Sequence, residues 1–251
     1  MLALTRYDGP PKATPCLIAH GLYGSARNWG VLAKRLSVAR PVICVDMRNH
    51  GQSFWSDNHG YEDQAEDLAQ VIASEGAPMD VIGHSMGGKA AMVLALKTPN
   101  LVRRLLVADI APVTYSHSQL AFIHAMRAVD LSRVSRRSDA SDQLAEQGVA
   151  PELQSFFTQS LDIKNGRWFY NLDALEAEMP KIMSFPDLDA QFDKSTLFLA
   201  GGASDYVQLQ YRNVIRSLFP KARFAKLSGA GHWLHAEKPR EFQATAEVFL
   251  S

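Results

Sequence analysis

The stretch "VIGHSMGGKA" (residues 81–90) joins a short apolar run that begins at Met79 to a long one, "MGGKAAMVLALKTP", that stops at Pro99. The first run is short enough for a strand. The second is long, nearly free of charge and ended by proline, as a buried helix is. Between them Gly83-His84-Ser85-Met86-Gly87 fits the spacing G-x-S-x-G. A serine on so tight a strand-to-helix turn sits on a strained backbone, with its hydroxyl held clear of the sheet. Small residues two before and two after it let strand and helix approach each other. The helix start brings free N–H groups and the positive end of the peptide dipoles beside the serine oxygen. That setting suits a nucleophile; the plainer alternative is a capping serine in a glycine-rich turn.

Further strand candidates are "CLIAHG" (16–21), "PVICVDM" (41–47), "RLLVADI" (104–110), "TLFLAGG" (196–202) and "RFAKLSG" (223–229). They are rich in Val, Ile and Leu with little polar alternation, as parallel strands covered on both faces should be. Helical patterns lie between them, such as Trp29, Leu32, Ala33 and Leu36 on one face. Strand-helix alternation predicts an α/β domain with a mostly parallel sheet flanked by helices. From Val113 to Asp193 the rhythm breaks. "QLAFIHAMRAV", "DASDQLAEQGV", "PELQSFFTQSL" and "LDALEAEM" read as helices, and "DIKNGRWFYN" as a turn or short hairpin. Eighty residues are too many for a loop. We therefore expect a core domain of 1–112 and 194–251, with a helical cap, 113–193, inserted before the penultimate strand.

Composition narrows the function classes. Lys+Arg and Asp+Glu are both 26 of 251 residues, so no net field favours nucleic acid or an anionic membrane. No apolar run approaches the ~18 residues of a membrane span, and the N-terminus lacks the pattern of a secretory signal. Cys16 and Cys44 read as buried reduced thiols. A cytoplasmic protein is expected, as a monomer or weak homodimer with a small-molecule partner.

A serine needs a base. "LSGAGHWLHAEKP" offers His232 in a glycine-rich loop after the last strand candidate, and His235 as a second choice. "IAHGLYGS" ends a strand at His20-Gly21, and the following loop can aim the Leu22 N–H at a developing oxyanion together with the Met86 N–H.

These motifs give the chain a resemblance to α/β-hydrolases over essentially its full length. "DMRNHGQS" (46–53), "GHSMGGKA", "ADIAPV" and "GHWLHAEKP" are similar to bacterial YbfF-like esterases and their eukaryotic relatives. The resemblance implies action on short- to medium-chain acyl esters and, in some members, acyl-CoA thioesters, with no cofactor and no metal. It implies structural roles for Asp46, Arg48 and Asn49. The order Ser, acid, His admits two acids, Asp109 and Asp205. In many of these enzymes the acid stands three residues before a Val; that position before Val207 is Ser204, so Asp205 is one late. Asp109 lies in the apolar run "LLVADIAPV", where an unpartnered carboxylate is costly and an imidazole relieves it. Asp205 has a plainer use as the cap of a helix starting near Val207. The expected triad is Ser85, Asp109 and His232. Tyr23, Trp55, Phe122, Phe156, Trp168 and Tyr206 are candidates for the pocket lining, the plainer alternative for each being ordinary core. Arg127, Arg133, Arg136 and Arg137 are the groups that would meet the phosphates of an acyl-CoA; the plainer alternative is a solvated helical face. Carbon–carbon bond hydrolases, lyases and non-enzymatic receptors of the same fold are the rival readings.

Overall fold

The computed structural model describes residues 1–251. Nine strands are formed: β1 (Ala3–Tyr7), β2 (Cys16–Ala19), β3 (Val42–Asp46), β4 (Met79–His84), β5 (Val102–Ala108), β6 (Leu161–Asp162), β7 (Arg167–Trp168), β8 (Thr196–Gly201) and β9 (Ala222–Leu227). Seven make one sheet in the order β1-β3-β2-β4-β5-β8-β9, parallel throughout except for β1, which runs antiparallel to β3. All six expected strands are in it. β1 was not expected: "ALTRY" is half-exposed and polar, as an edge strand needing only one covered face is.

The central strands β2, β3, β4 and β8 are buried at every position, which explains their lack of polar alternation. Side-chain alternation sorts them onto two cores. Leu17, Ala19, Val81 and Val107 face one; Cys16, Ile18, Cys44 and Ile82 face the other. Both cysteines are free and fully buried.

Eleven helices complete the chain: α1 (Gly30–Leu36), α2 (Tyr61–Ser74), α3 (Met86–Lys97), α4 (Leu120–Ala128), α5 (Arg137–Glu146), α6 (Pro151–Thr158), α7 (Leu172–Ala177), α8 (Met179–Met183), α9 (Arg212–Leu218), α10 (Leu234–Glu237) and α11 (Pro239–Leu250). None is long and apolar enough to cross a membrane. Helix α3 is buried from Met86 to Leu96, so it is apolar on all sides. It is pressed so closely onto the sheet that a Cβ on Gly83 would stand 2.4 Å from the Gly87 carbonyl oxygen, and one on Gly87 2.4 Å from that of His20. The glycines flanking Ser85 are therefore required by contact.

Between β5 and β8 lie α4 to α8 and the β6–β7 hairpin, whose turn holds Gly166 at φ 58°. One expected helix, "LDALEAEM", is divided, because α7 ends at Ala177 and Pro180 opens α8. Lys89 of α3 ties both ends of this segment down. Its ammonium donates to the carbonyls of Val113 (2.8 Å), Met183 (3.1 Å) and Ser184 (2.5 Å). Burial without a carboxylate pushes Lys89 down to about 7, while three carbonyls and the Tyr115 ring, 4.8 Å away, favour its charged form.

Candidate active site

The parallel strands deliver their chemistry at their carboxyl ends, where open α/β sheets bind ligands. Ser85 follows β4 directly, with φ 51° and ψ −120°. Asp109 follows β5 and is also left-handed, at φ 51°. His232 lies in the loop after β9. The three side chains meet: His232 Nε2 stands 3.0 Å from Ser85 Oγ, and His232 Nδ1 2.8 Å from Asp109 Oδ2. Since the carboxylate only accepts, Nδ1 carries the proton and Nε2 presents its lone pair to the serine hydroxyl.

Asp109 is wholly buried, and its carboxylate oxygens accept three hydrogen bonds. Oδ1 takes the Gly201 N–H (2.8 Å), and Oδ2 takes the Ser204 hydroxyl (2.5 Å) as well as His232. Ser204 is the residue three before Val207, so that position carries not an acid but a hydroxyl that donates to Asp109. Asp205 is exposed. The expectation that it caps a helix near Val207 is wrong: the chain stays irregular to Gln208, a 3₁₀ turn spans Leu209–Tyr211, and α9 follows. Val207 turns into the core instead, which leaves no helix start beside Asp205.

Further contacts hold His232. The Tyr206 ring stacks on it with centroids 4.1 Å apart and planes 24° apart. Tyr206 is fixed in turn through its carbonyl by the Tyr115 hydroxyl (2.7 Å). His84 Nε2–H donates to the His232 carbonyl (2.8 Å). His235, the second choice as base, is buried and stacked on Trp29 at 4.2 Å; the ring that bonds the serine hydroxyl is that of His232.

Buried histidines make the fold sensitive to acid. Burial pushes His20 down to about 4, and His50 and His235 to about 3, from an ordinary value of 6.5. Below pH 6.5 the unfolded chain binds protons at these positions that the folded chain does not. Their contribution is therefore complete above that pH and is lost as pH falls toward 3. Three such groups give a slope of about 4 kcal/mol per pH unit near pH 5. Urea titrations between pH 7 and 5 should show this fall; a flat profile would mean that the imidazoles are protonated in the folded state.

On the other side of Ser85, the loop after β2 comes close: a Cβ on Gly21 would lie 3.1 Å from Ser85 Cβ. Leu22 follows, and its N–H has no backbone acceptor. Met86 opens α3, where N–H groups have no partner within the helix. Both residues line a cavity of about 330 Å³ that contains Ser85 and His232. Four of the expected aromatics line it too: Tyr23, Phe122, Phe156 and Tyr206. Two do not. Trp55 is 54% exposed on the loop after β3, and Trp168 is buried among α4 to α8, donating from its indole to the Met126 carbonyl (3.0 Å). Phe157, Ile110, Ile182 and Met183 line the cavity unforeseen, since only the packing of short helices decides which apolar side chains face it.

Asp46 accepts the N–H groups of Ala26 (2.7 Å) and Gln52 (2.9 Å), Arg48 pairs with Asp67 (2.6 Å), and Asn49 accepts from Ser56 N–H (2.7 Å). These contacts hold the loop beside the site together. Of the arginines, Arg127 pairs with Asp173 and Glu176, Arg136 with Asp139, and Arg137 donates to the carbonyls of Thr158 and Leu161.

A family model described as "Alpha/beta hydrolase family" matches residues 16–245. The chain belongs to the alpha/beta hydrolase family. Among curated alpha/beta hydrolases it is 39% identical to the sn-1-specific diacylglycerol lipase ABHD11 of Mus musculus, covering 100% of this chain and 85% of that one. It is 38% identical to esterase YbfF of Escherichia coli (strain K12), over 90% of this chain and 89% of that one. The solved structure of a marine microorganism esterase superposes with a TM-score of 0.93 at 36% identity, covering 99% of this chain and 98% of the other.

Proposed function

We propose that this hydrolase is a serine esterase acting on short- to medium-chain carboxylic esters through an acyl-enzyme. The observation that carries the reading is the unbroken chain Asp109–His232–Ser85 opening onto a largely apolar cavity. In this scheme Ser85 Oγ attacks the carbonyl carbon while His232 Nε2 takes its proton. The carbon–oxygen bond to the alcohol then breaks, and Nε2 returns the proton to the leaving oxygen. Water repeats the sequence on the acyl-enzyme. Asp109 keeps the proton of His232 on Nδ1 and stabilises the imidazolium. The Leu22 and Met86 N–H groups bind the oxyanion, each such donor contributing ~3–4 kcal/mol in comparable sites.

A cavity of about 330 Å³ is at the small end for ligand sites, which favours short acyl chains. We take residues 113–193 as the cap that roofs it, with Phe122, Phe156 and Phe157 as the wall. Acyl-CoA thioesters would react by the same steps. Three of the four arginines that would meet their phosphates already have partners within the chain, so neutral esters are preferred. The names of the relatives, an esterase and a diacylglycerol lipase, agree with ester chemistry.

A fluorophosphonate should label the Ser85 peptide stoichiometrically, and p-nitrophenyl butyrate should give a burst equal to the enzyme concentration. A chain-length series should decline for long acyl groups. Turnover without a burst and without labelling would instead favour carbon–carbon hydrolysis or elimination.

A further inference from the structure

The positive φ of Tyr23, 59°, lies in the loop that carries Leu22, and it is unusual for an aromatic residue. Three groups fix it. The Tyr23 N–H donates to His50 Nε2 (3.1 Å), its carbonyl accepts from the Tyr170 hydroxyl (2.6 Å), and its own hydroxyl donates to the Gln119 carbonyl (3.1 Å). His50 is fully buried and Tyr170 2% exposed. His50 Nδ1 stands 2.9 Å from the Arg48 carbonyl, which only accepts, so Nδ1 holds the proton and Nε2 is free to accept. A neutral ring is what both contacts require, and burial keeps it neutral.

The arrangement is reciprocal. His20, at the start of the same loop, gives its Nδ1–H to the Gly21 carbonyl (2.8 Å) and accepts the Met47 N–H on Nε2 (2.9 Å). Each loop thus supplies a histidine that receives an N–H from the other, and the "HG" of 20–21 is locked to the "MRNHG" of 47–51. Tyr170 joins them from the segment between β5 and β8, where its backbone forms a bridge with His50.

We infer that His50 and Tyr170 are positioning residues for the oxyanion hole: they hold Tyr23 in its left-handed conformation and so aim the Leu22 N–H at the carbonyl oxygen. The inference rests on the esterase reading above and on Leu22 as a donor. Neither side chain lines the cavity, so neither touches substrate. The hydroxyl of Tyr170 also connects the inserted segment to the hole, so displacement of that segment would disturb oxyanion binding as well as the pocket wall.

The test compares Tyr170→Phe, His50→Gln and His50→Ala with wild type. Tyr170→Phe keeps the ring and loses one hydrogen bond; His50→Gln keeps an acceptor near the Nε2 position. For an ester substrate we expect kcat to fall about 10-fold in Tyr170→Phe and about 100-fold in His50→Ala, with KM within about twofold. His50→Gln should recover part of the loss. Affinity for a short alkylboronic acid, whose serine adduct places an oxygen in the hole, should fall in proportion to kcat/KM. Active-site titration of folded enzyme normalises each rate, so loss of folded protein does not count as loss of rate. Variants that lose stability but keep both kcat and boronate affinity overturn the inference and leave the esterase reading intact. A wild type that binds no boronate on Ser85 overturns the esterase reading and this inference with it.

Discussion

Asp109→Asn is expected to lower kcat for a short-chain ester by about 10⁴-fold, while Asp205→Asn leaves it within about twofold of wild type. The difference follows from what each carboxylate contacts. Asp109 Oδ2 is 2.8 Å from His232 Nδ1, and the carboxylate is sealed from solvent. An amide there can turn its NH₂ toward the ring, which then holds its proton on Nε2 and loses the lone pair that faces Ser85. Were the amide oxygen turned to the ring instead, its NH₂ would oppose the Gly201 N–H, which now donates to Oδ1 at 2.8 Å. Either orientation also removes the charge that stabilises an imidazolium. Asp205 is exposed and gives up nothing comparable. Both variants should be compared on active-site-titrated enzyme. A large loss in Asp205→Asn with near-normal Asp109→Asn would overturn the assignment.

Much of this site is legible along the chain because its parts are local. The turn around Ser85 combines a change of periodicity with glycines whose close contacts admit no side chain, and both are visible in ten residues. Asp109 is legible for a different reason: a carboxylate in "LLVADIAPV" has no polar neighbour in sequence, so its partner must come from elsewhere. The partners that arrived, His232 and Ser204, lie more than ninety residues away. What resisted reading depends on packing between distant segments. Nothing local tells Trp168, which is buried and donates to the Met126 carbonyl of α4, from Phe156, which faces the cavity. The link from His50 to Tyr23 spans 27 residues and appears only when two loops lie side by side. The helix expected at Val207 failed because burial of that side chain outweighed a weak local start signal. β1 escaped because an edge strand with half-exposed polar residues carries no apolar run.

The strained turn at Ser85 leads to the other large effect. On the proposed mechanism Ser85→Ala and Ser85→Gly should both lower kcat by about 10⁶-fold, as loss of the nucleophile does in a serine protease. Their stabilities should differ. Ser85 holds φ 51° and ψ −120°, a conformation in which a side chain costs on the order of 1–3 kcal/mol. Alanine keeps its Cβ and the cost; glycine loses both, offset by the roughly 0.5–1 kcal/mol of extra chain entropy that glycine surrenders on folding. Ser85→Gly should therefore be about 1 kcal/mol more stable than Ser85→Ala, a rise of about 2–4 °C in Tm for a chain of this size. The backbone does not relax in the serine protein because its surroundings fix it from both sides. Ser85 N–H donates to the Ala108 carbonyl (3.0 Å), the Lys89 N–H donates to the Ser85 carbonyl (3.0 Å), and Gly83 and Gly87 are in contact across the turn. Stability is thus given up to keep the hydroxyl clear of the sheet and within 3.0 Å of His232 Nε2. If Ser85→Gly melts below Ser85→Ala, the turn is not strained and its geometry has another origin.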